Sequence, residues 1–203
     1  MQKIVAIEGN IGAGKTTLLD YIKGYKLKEP VDQWCVDFNG CHINLLDKYY
    51  DNPVKYAFLF QQKCMETKIN QLKKIPEFGT IVLDRSIGAN LLFAKVQHKL
   101  KCLDDIEMAT YADMFYRAKK ELPPVQYYIY LKTPVEECLK RIKKRGRECE
   151  QGITKEYLEL LEHEHNDWLC KKDNVIILDG SKDIFDKASR NILLMAIAAF
   201  VKK

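Results

Sequence analysis

Residues 9 to 16 read Gly9-Asn10-Ile11-Gly12-Ala13-Gly14-Lys15-Thr16, the spacing G-x-x-x-x-G-K-[ST], and only Glu8 separates them from the apolar run Ile4-Val5-Ala6-Ile7. No other stretch restricts the fold so strongly. Glycines at these positions let the backbone curl until successive N–H groups point inward, which makes a cradle for phosphate oxygens. Lys15 then brings a point charge to the β and γ phosphates of ATP or another nucleoside triphosphate, and the Thr16 hydroxyl becomes a ligand for Mg²⁺. From Thr17 onward, Thr17-Leu18-Leu19-Asp20-Tyr21-Ile22 has amphipathic spacing, so a helix starts where the loop ends and aims its N-terminal dipole at the same anion. Residues 9 to 17 are therefore the expected nucleotide-binding set.

The rest of the pattern agrees. Short β-type runs at 4–7, 80–84, 126–132 and 174–178, with a further one at 26–30, alternate with helical patterns over 53–75, 104–122, 134–145, 154–172 and 183–203. Such alternation predicts an α/β fold, a parallel P-loop NTPase-type sheet of about five strands with helices on both faces. Pro53 and Pro134 suit first helical turns, and Thr133 and Thr154 suit N-caps. At 203 residues and 47% hydrophobic content, with no repeat or linker, the chain is expected to form one domain over 1–203.

Composition narrows the partners. The net charge of +5 lacks the dense basic patch of a nucleic-acid binder. The longest apolar run, 192–201, is too short to span a bilayer, and the N-terminus enters a strand with no signal pattern. Seven scattered cysteines with no C-x-x-C pair indicate neither a disulfide framework nor a zinc site. A reducing, cytoplasmic location is the expectation.

Three segments outside the loop can carry chemistry. Glu29, in Glu29-Pro30-Val31-Asp32-Gln33-Trp34, lies at the end of the 26–30 run and so falls at the carboxyl edge of the sheet, where ligands bind in open α/β folds. It can accept the proton of an attacking hydroxyl while Trp34 walls an apolar slot, although a plain strand exit and a core Trp fit the same letters. In Asp84-Arg85-Ser86 the acid can organise Mg²⁺ and Arg85 can stabilise a transferred phosphoryl group; a structural salt bridge is the alternative. Arg141, Arg145 and Arg147, with Gly146 between the last two, suggest a mobile lid that closes over phosphates, as against an ordinary charged face. His163 and His165, two apart, do not share a helical face and are read as surface or packing residues, while Leu158, Leu161, Trp168 and Leu169 are read as core.

Seven motifs in order, I-E-G-N-I-G-A-G-K-T-T, E-P-V-D-Q-W, N-L-L-D-K-Y-Y, F-Q, D-R-S, R-x-x-x-R-G-R-x-x-E-Q-G-I and Y-L-E-L-L-E-H-E-H-N-D-W-L, cover nearly the whole chain. Together they resemble the deoxynucleoside kinases of the deoxycytidine, deoxyguanosine and mitochondrial thymidine kinase type. The resemblance implies that Glu29 is the general base on a nucleoside 5′-hydroxyl and that Arg85 positions that oxygen. It implies that Tyr50 and Glu150 hold the sugar 3′-hydroxyl, that Gln61 pairs with the base edge, that Trp34 packs on the nucleoside, and that Arg141, Arg145 and Arg147 close over the phosphates. Cys64, Lys68 and Asn90 would line the far end of the base pocket, with Lys68 and Asn90 favouring deoxycytidine or a purine over thymidine. The resemblance implies a homodimer too, and the long, partly apolar helices 53–75 and 104–122 permit its interface. Asp84 stands where many members have Glu, and Cys149 where many have a second acid. The rival readings are a thymidylate-kinase-like monophosphate kinase and a non-catalytic P-loop module, the latter disfavoured by the lack of an N-K-x-D guanine motif.

Overall fold

In the computed structural model, which describes residues 2–202, the chain runs β1 (Gln2–Glu8), α1 (Lys15–Tyr21), β2 (Tyr25–Leu27), β3 (Cys35–Phe38), β4 (Cys41–Asn44), α2 (Leu45–Asp51), α3 (Pro53–Leu72) and β5 (Gly79–Asp84). It continues with α4 (Ile87–Lys99), α5 (Asp105–Glu121), β6 (Tyr127–Lys132), α6 (Val135–Arg145), α7 (Lys155–Leu169), β7 (Val175–Asp179) and α8 (Lys187–Val201). Five of the strands form a parallel sheet in the order β2-β5-β1-β6-β7, with β1 at its centre.

A central parallel strand is covered on both faces, which is why β1 reads as an unbroken apolar run and not as an alternation. Ile4 and Ala6 pack with Ile81 and Leu83 against Met65 of α3 and Tyr111 and Phe115 of α5. Val5 and Ile7 pack with Val82 on the other face, against Leu18 and Leu19 of α1 and Leu193 and Ile197 of α8. The register pairs Ile7 with Asp84 on one side and with Ile129 on the other. Strand ends from β1 and β5 therefore stop level, and the Gly-rich loop leaves the sheet beside Asp84-Arg85-Ser86.

Several expected boundaries shift. The 26–30 run contributes only Tyr25–Leu27 to the sheet, and the chain has left it by Pro30, which has no N–H for a ladder. The 53–75 helix ends at Leu72. The 183–203 segment starts with a turn, and α8 begins once the Asp186 side chain accepts the Ser189 N–H at 2.7 Å; the expected end at residue 203 lies outside the described residues. Thr154 caps α7 as expected, by accepting the Tyr157 N–H at 3.2 Å. Thr133 does not cap α6: Pro134 takes the N-cap position, and the Thr133 hydroxyl donates to the carbonyl of Ala13 at 3.1 Å. Three elements went unread in the sequence, namely the antiparallel β3–β4 hairpin, α2 and α4. No helix among the described residues is long and apolar enough to cross a membrane.

Candidate active site

The loop after β1 is pressed against its neighbours. A Cβ added at Gly9 would sit 2.6 Å from the carbonyl oxygen of Leu131, and one at Gly12 would sit 2.6 Å from that of Cys138, so only glycine fits at either place. Asn10 serves as a tether: its side-chain amide donates to the carbonyl of Leu158 on α7 at 2.8 Å, and its Oδ1 accepts the Ile11 N–H at 2.9 Å. On the far side the Ala13 carbonyl accepts from Thr133 and, at 3.0 Å, from Arg141 Nη1. Strand β6, α6 and α7 thus hold the curl before any phosphate arrives.

Lys15 is not an exposed side chain, although it leaves the loop at the very start of α1. It is buried, and its ammonium donates to the carbonyl of Asn10 at 2.7 Å. Burial, helped by the nearby Arg85 charge, lowers its pKa to about 8. Thr16 Oγ1 donates to Asp84 Oδ2 at 2.5 Å, while Asp84 Oδ1 is buried without a hydrogen-bond partner among the described residues. A hydroxyl and an under-used carboxylate at one spot are hard oxygen donors, a set that fits Mg²⁺. Thr17 lies in the first turn of α1, half-buried.

Across the cleft stands Arg85. Its backbone is left-handed, φ 63°, a conformation rare for a side chain of this size. The guanidinium reaches Glu29 through Nη1, at 3.2 and 3.0 Å from the two carboxylate oxygens, and the Gly9 carbonyl through Nη2 at 3.2 Å. The Phe93 ring lies under it, 4.8 Å from its carbon. Burial pushes the Glu29 carboxyl up, but Arg85, Lys15 and Lys68 together outweigh that and hold it below its ordinary value, ionised at neutral pH.

Both halves open on one cavity of about 400 Å³, whose lining includes Lys15, Glu29, Trp34, Gln61, Arg85 and Glu150. Trp34 is a rigid wall: its indole N–H donates to Thr67 Oγ1 at 3.2 Å, and its ring meets Phe60 edge-on at 5.3 Å. The Gln61 amide faces the cavity with no hydrogen-bond partner of its own among the described residues. Tyr50 and Asn90 line the same space.

Lys68 and the three arginines sit differently from the sequence picture, while the two histidines sit as expected. Lys68 lines the cavity, but its ammonium donates to the carbonyls of Asp84 and Arg85, each at 3.1 Å, so it braces the turn. The three arginines do not act as one free lid. Arg141 is pinned between Ala13 and Glu137, at 3.0 Å from each. Arg145 and Arg147 donate instead to the buried Glu150, from Nε at 3.0 Å and Nη1 at 3.1 Å. His163 is exposed against Asp167, and His165 is a buried packing residue whose Nδ1 lies 2.6 Å from the carbonyl of Leu161.

Two contributors were missed. Glu8 is fully buried, with Oε1 accepting the Ser86 N–H at 2.9 Å and Oε2 without a hydrogen-bond partner among the described residues; burial pushes its pKa to about 7. An acid closing an apolar strand was the available signal. Tyr157, on α7, lines the cavity floor and shares a hydroxyl network with Tyr49 and Gln97, which no local pattern announces.

Comparison with known proteins gives one answer. The sequence model of the deoxynucleoside kinase family matches residues 5–202. A probable deoxycytidine kinase of fowlpox virus is 32% identical over 210 residues, spanning 96% of this chain and 86% of its own length. Deoxycytidine kinase 1 of Xenopus laevis is 32% identical, with 82% of this chain and 74% of the relative covered. A thymidine kinase of ictalurid herpesvirus 1 is 30% identical, with 88% and 79% covered.

Proposed function

The chain belongs to the deoxynucleoside kinase family, and from that premise we propose that it moves the γ phosphoryl group of Mg²⁺-bound ATP to the 5′-hydroxyl of a deoxynucleoside. The observation that carries this reading is the single cavity with a phosphate cradle at one end and the Glu29–Arg85 pair at the other. Such an arrangement suits a transfer in which catalysis is mostly positioning and electrostatics.

Lys15 and the loop N–H groups take the triphosphate. Thr16 and Asp84 would hold Mg²⁺, which when bound would supply positive charge against the triphosphate. Glu29, kept ionised, receives the proton of the 5′-hydroxyl as that oxygen bonds to the γ phosphorus and the bond from the γ phosphorus to the bridging oxygen breaks, releasing ADP. Arg85, fixed between Glu29 and the Gly9 carbonyl, keeps that oxygen near the cradle. Trp34 covers the nucleoside, the free amide of Gln61 reads the base edge, and Tyr50 with Glu150 holds the 3′-hydroxyl. Arg145 and Arg147 reach the phosphates only after they part from Glu150, whereas Arg141 stiffens the loop.

Deoxycytidine is the acceptor we favour over thymidine, on the names of the fowlpox and Xenopus relatives and on the polar Asn90. With Lys68 turned to the backbone, the selective pair expected of it with Asn90 is not made. We further propose a homodimer through α3 and α5, whose exposed Val54, Leu59, Ile106 and Tyr116 want a cover, and a cytoplasmic location, to which unpaired cysteines are suited. The test is a panel of four deoxynucleosides and thymidine monophosphate with ATP and Mg²⁺. Phosphorylation of a nucleoside, deoxycytidine first, is expected. Turnover of the monophosphate alone would establish the thymidylate-kinase-like alternative instead.

A further inference from the structure

A non-glycine residue at φ 63° stays there only if its surroundings hold it, and the bonds around Arg85 do so from three directions. The Arg85 N–H donates to the carbonyl of Ile7 at 3.1 Å, and the next N–H, that of Ser86, donates to Glu8 at 2.9 Å. From below, Lys68 Nζ donates to the carbonyls of both Asp84 and Arg85, each at 3.1 Å. These two carbonyls bracket the Arg85 residue, so their orientation sets where its Cα–Cβ bond points.

Lys68 is only 3% exposed and has no carboxylate within ion-pair distance among the described residues. A buried ammonium spent on two peptide oxygens is a costly brace, and such groups are tolerated where the geometry they fix is needed. We infer that Lys68 is a positioning residue for phosphoryl transfer: it acts through the Arg85 backbone, aiming the guanidinium at Glu29 and the Gly9 carbonyl, and it does not choose the base. This rests on the proposed place of Arg85 at the reacting centre.

The consequence separates bracing from selection. A base selector alters the ranking of nucleosides, while a brace lowers the rate on all of them alike. Lys68→Met should lower kcat on the order of 10-fold to 100-fold on each of the four deoxynucleosides, with KM values within about 3-fold and the ranking unchanged. Lys68→Arg, which keeps a cation with several donors, should restore most of the rate. In an Arg85→Ala background, itself expected to be severely impaired, Lys68→Met should remove less than about 2-fold more, because the two changes break one unit. Thermal melting and triphosphate binding confirm that each variant is folded; Lys68→Gln, with the same expected pattern, replaces the Met variant if that one does not fold. A reordered base preference at undiminished best kcat would overturn the inference, and so would losses that multiply in the double variant. Full activity of Arg85→Ala would instead overturn the role of Arg85, and with it this one.

Discussion

The two halves of the cleft are built by opposite means. The phosphate cradle comes from eight consecutive residues acting mainly through backbone groups, with glycines wherever a side chain would collide. The half that faces it takes side chains from the end of β5, from the turn after β2, and from α2, α3, α4 and α7, each brought in by packing and register. Local spacing is enough to specify a backbone cradle. A pocket of side chains depends on every element being docked in the right rotation, so its parts are individually replaceable in sequence and jointly demanding in structure.

The comparison breaks most sharply at Lys15. Lys15→Ala should lower kcat/KM by on the order of 10³ or more, through loss of the charge at the transferred group. Because the ammonium is buried, with its pKa depressed to about 8, the melting temperature should hold or rise, and a large loss of stability would mean the lysine is part of the scaffold. On the opposite side, Glu29→Gln should lower kcat by roughly 10² to 10⁴ with a smaller change in KM. A raised KM at constant kcat would make Glu29 a binding group only.

The seam between the halves can be read by pH. Glu8 bridges the end of β1 to Ser86, and its carboxyl is raised from 4.5 to about 7 in the fold. Between those values the native chain keeps a proton that the unfolded chain releases, so this group makes stability fall as pH rises, by roughly 3 kcal/mol across the window. Glu8→Gln should flatten the dependence of melting temperature on pH from 4.5 to 7, and an unchanged slope would show that Glu8 does not titrate there. The smallest effect belongs to Glu150, which faces both halves. Glu150→Gln should raise the KM for the nucleoside by about 10-fold, with kcat little changed, through a weakened bond to the sugar. Equal losses in kcat and kcat/KM would place it in the transition state instead.

Legibility follows the same division. The β1 run, the loop and α1 are local, and the sequence reading placed them within a residue or two. Glu29 was found by the rule that ligands sit at the carboxyl edge of a parallel sheet. The β3–β4 hairpin had its signal too, in Asn39-Gly40 with φ 49° and 76°, but its exposed, partly polar strands hid the alternation. Helix α4 escaped because Ala, Leu, Phe and Val occupy several of its faces and no single stripe emerges. Nothing local could say that Lys68 turns to the backbone of β5, since that follows from how α3 lies over the sheet. The link from Arg145 and Arg147 to Glu150, spaced five and three residues apart, was readable as opposite charges in one turn and was passed over in favour of phosphate contacts.

On the proposed role of Arg145 and Arg147, that link would make their reach to the phosphates an exchange of one anion for another. Glu150 already neutralises both guanidinium groups, so a triphosphate recruits them only to the extent that its oxygens outbid the carboxylate, and the net gain is a difference between two similar attractions. Under that role, a modest difference would let both arginines return to Glu150 after transfer. It also leaves the two arginines with a counter-charge at every stage, which spares the empty protein the self-repulsion of a bare cationic patch.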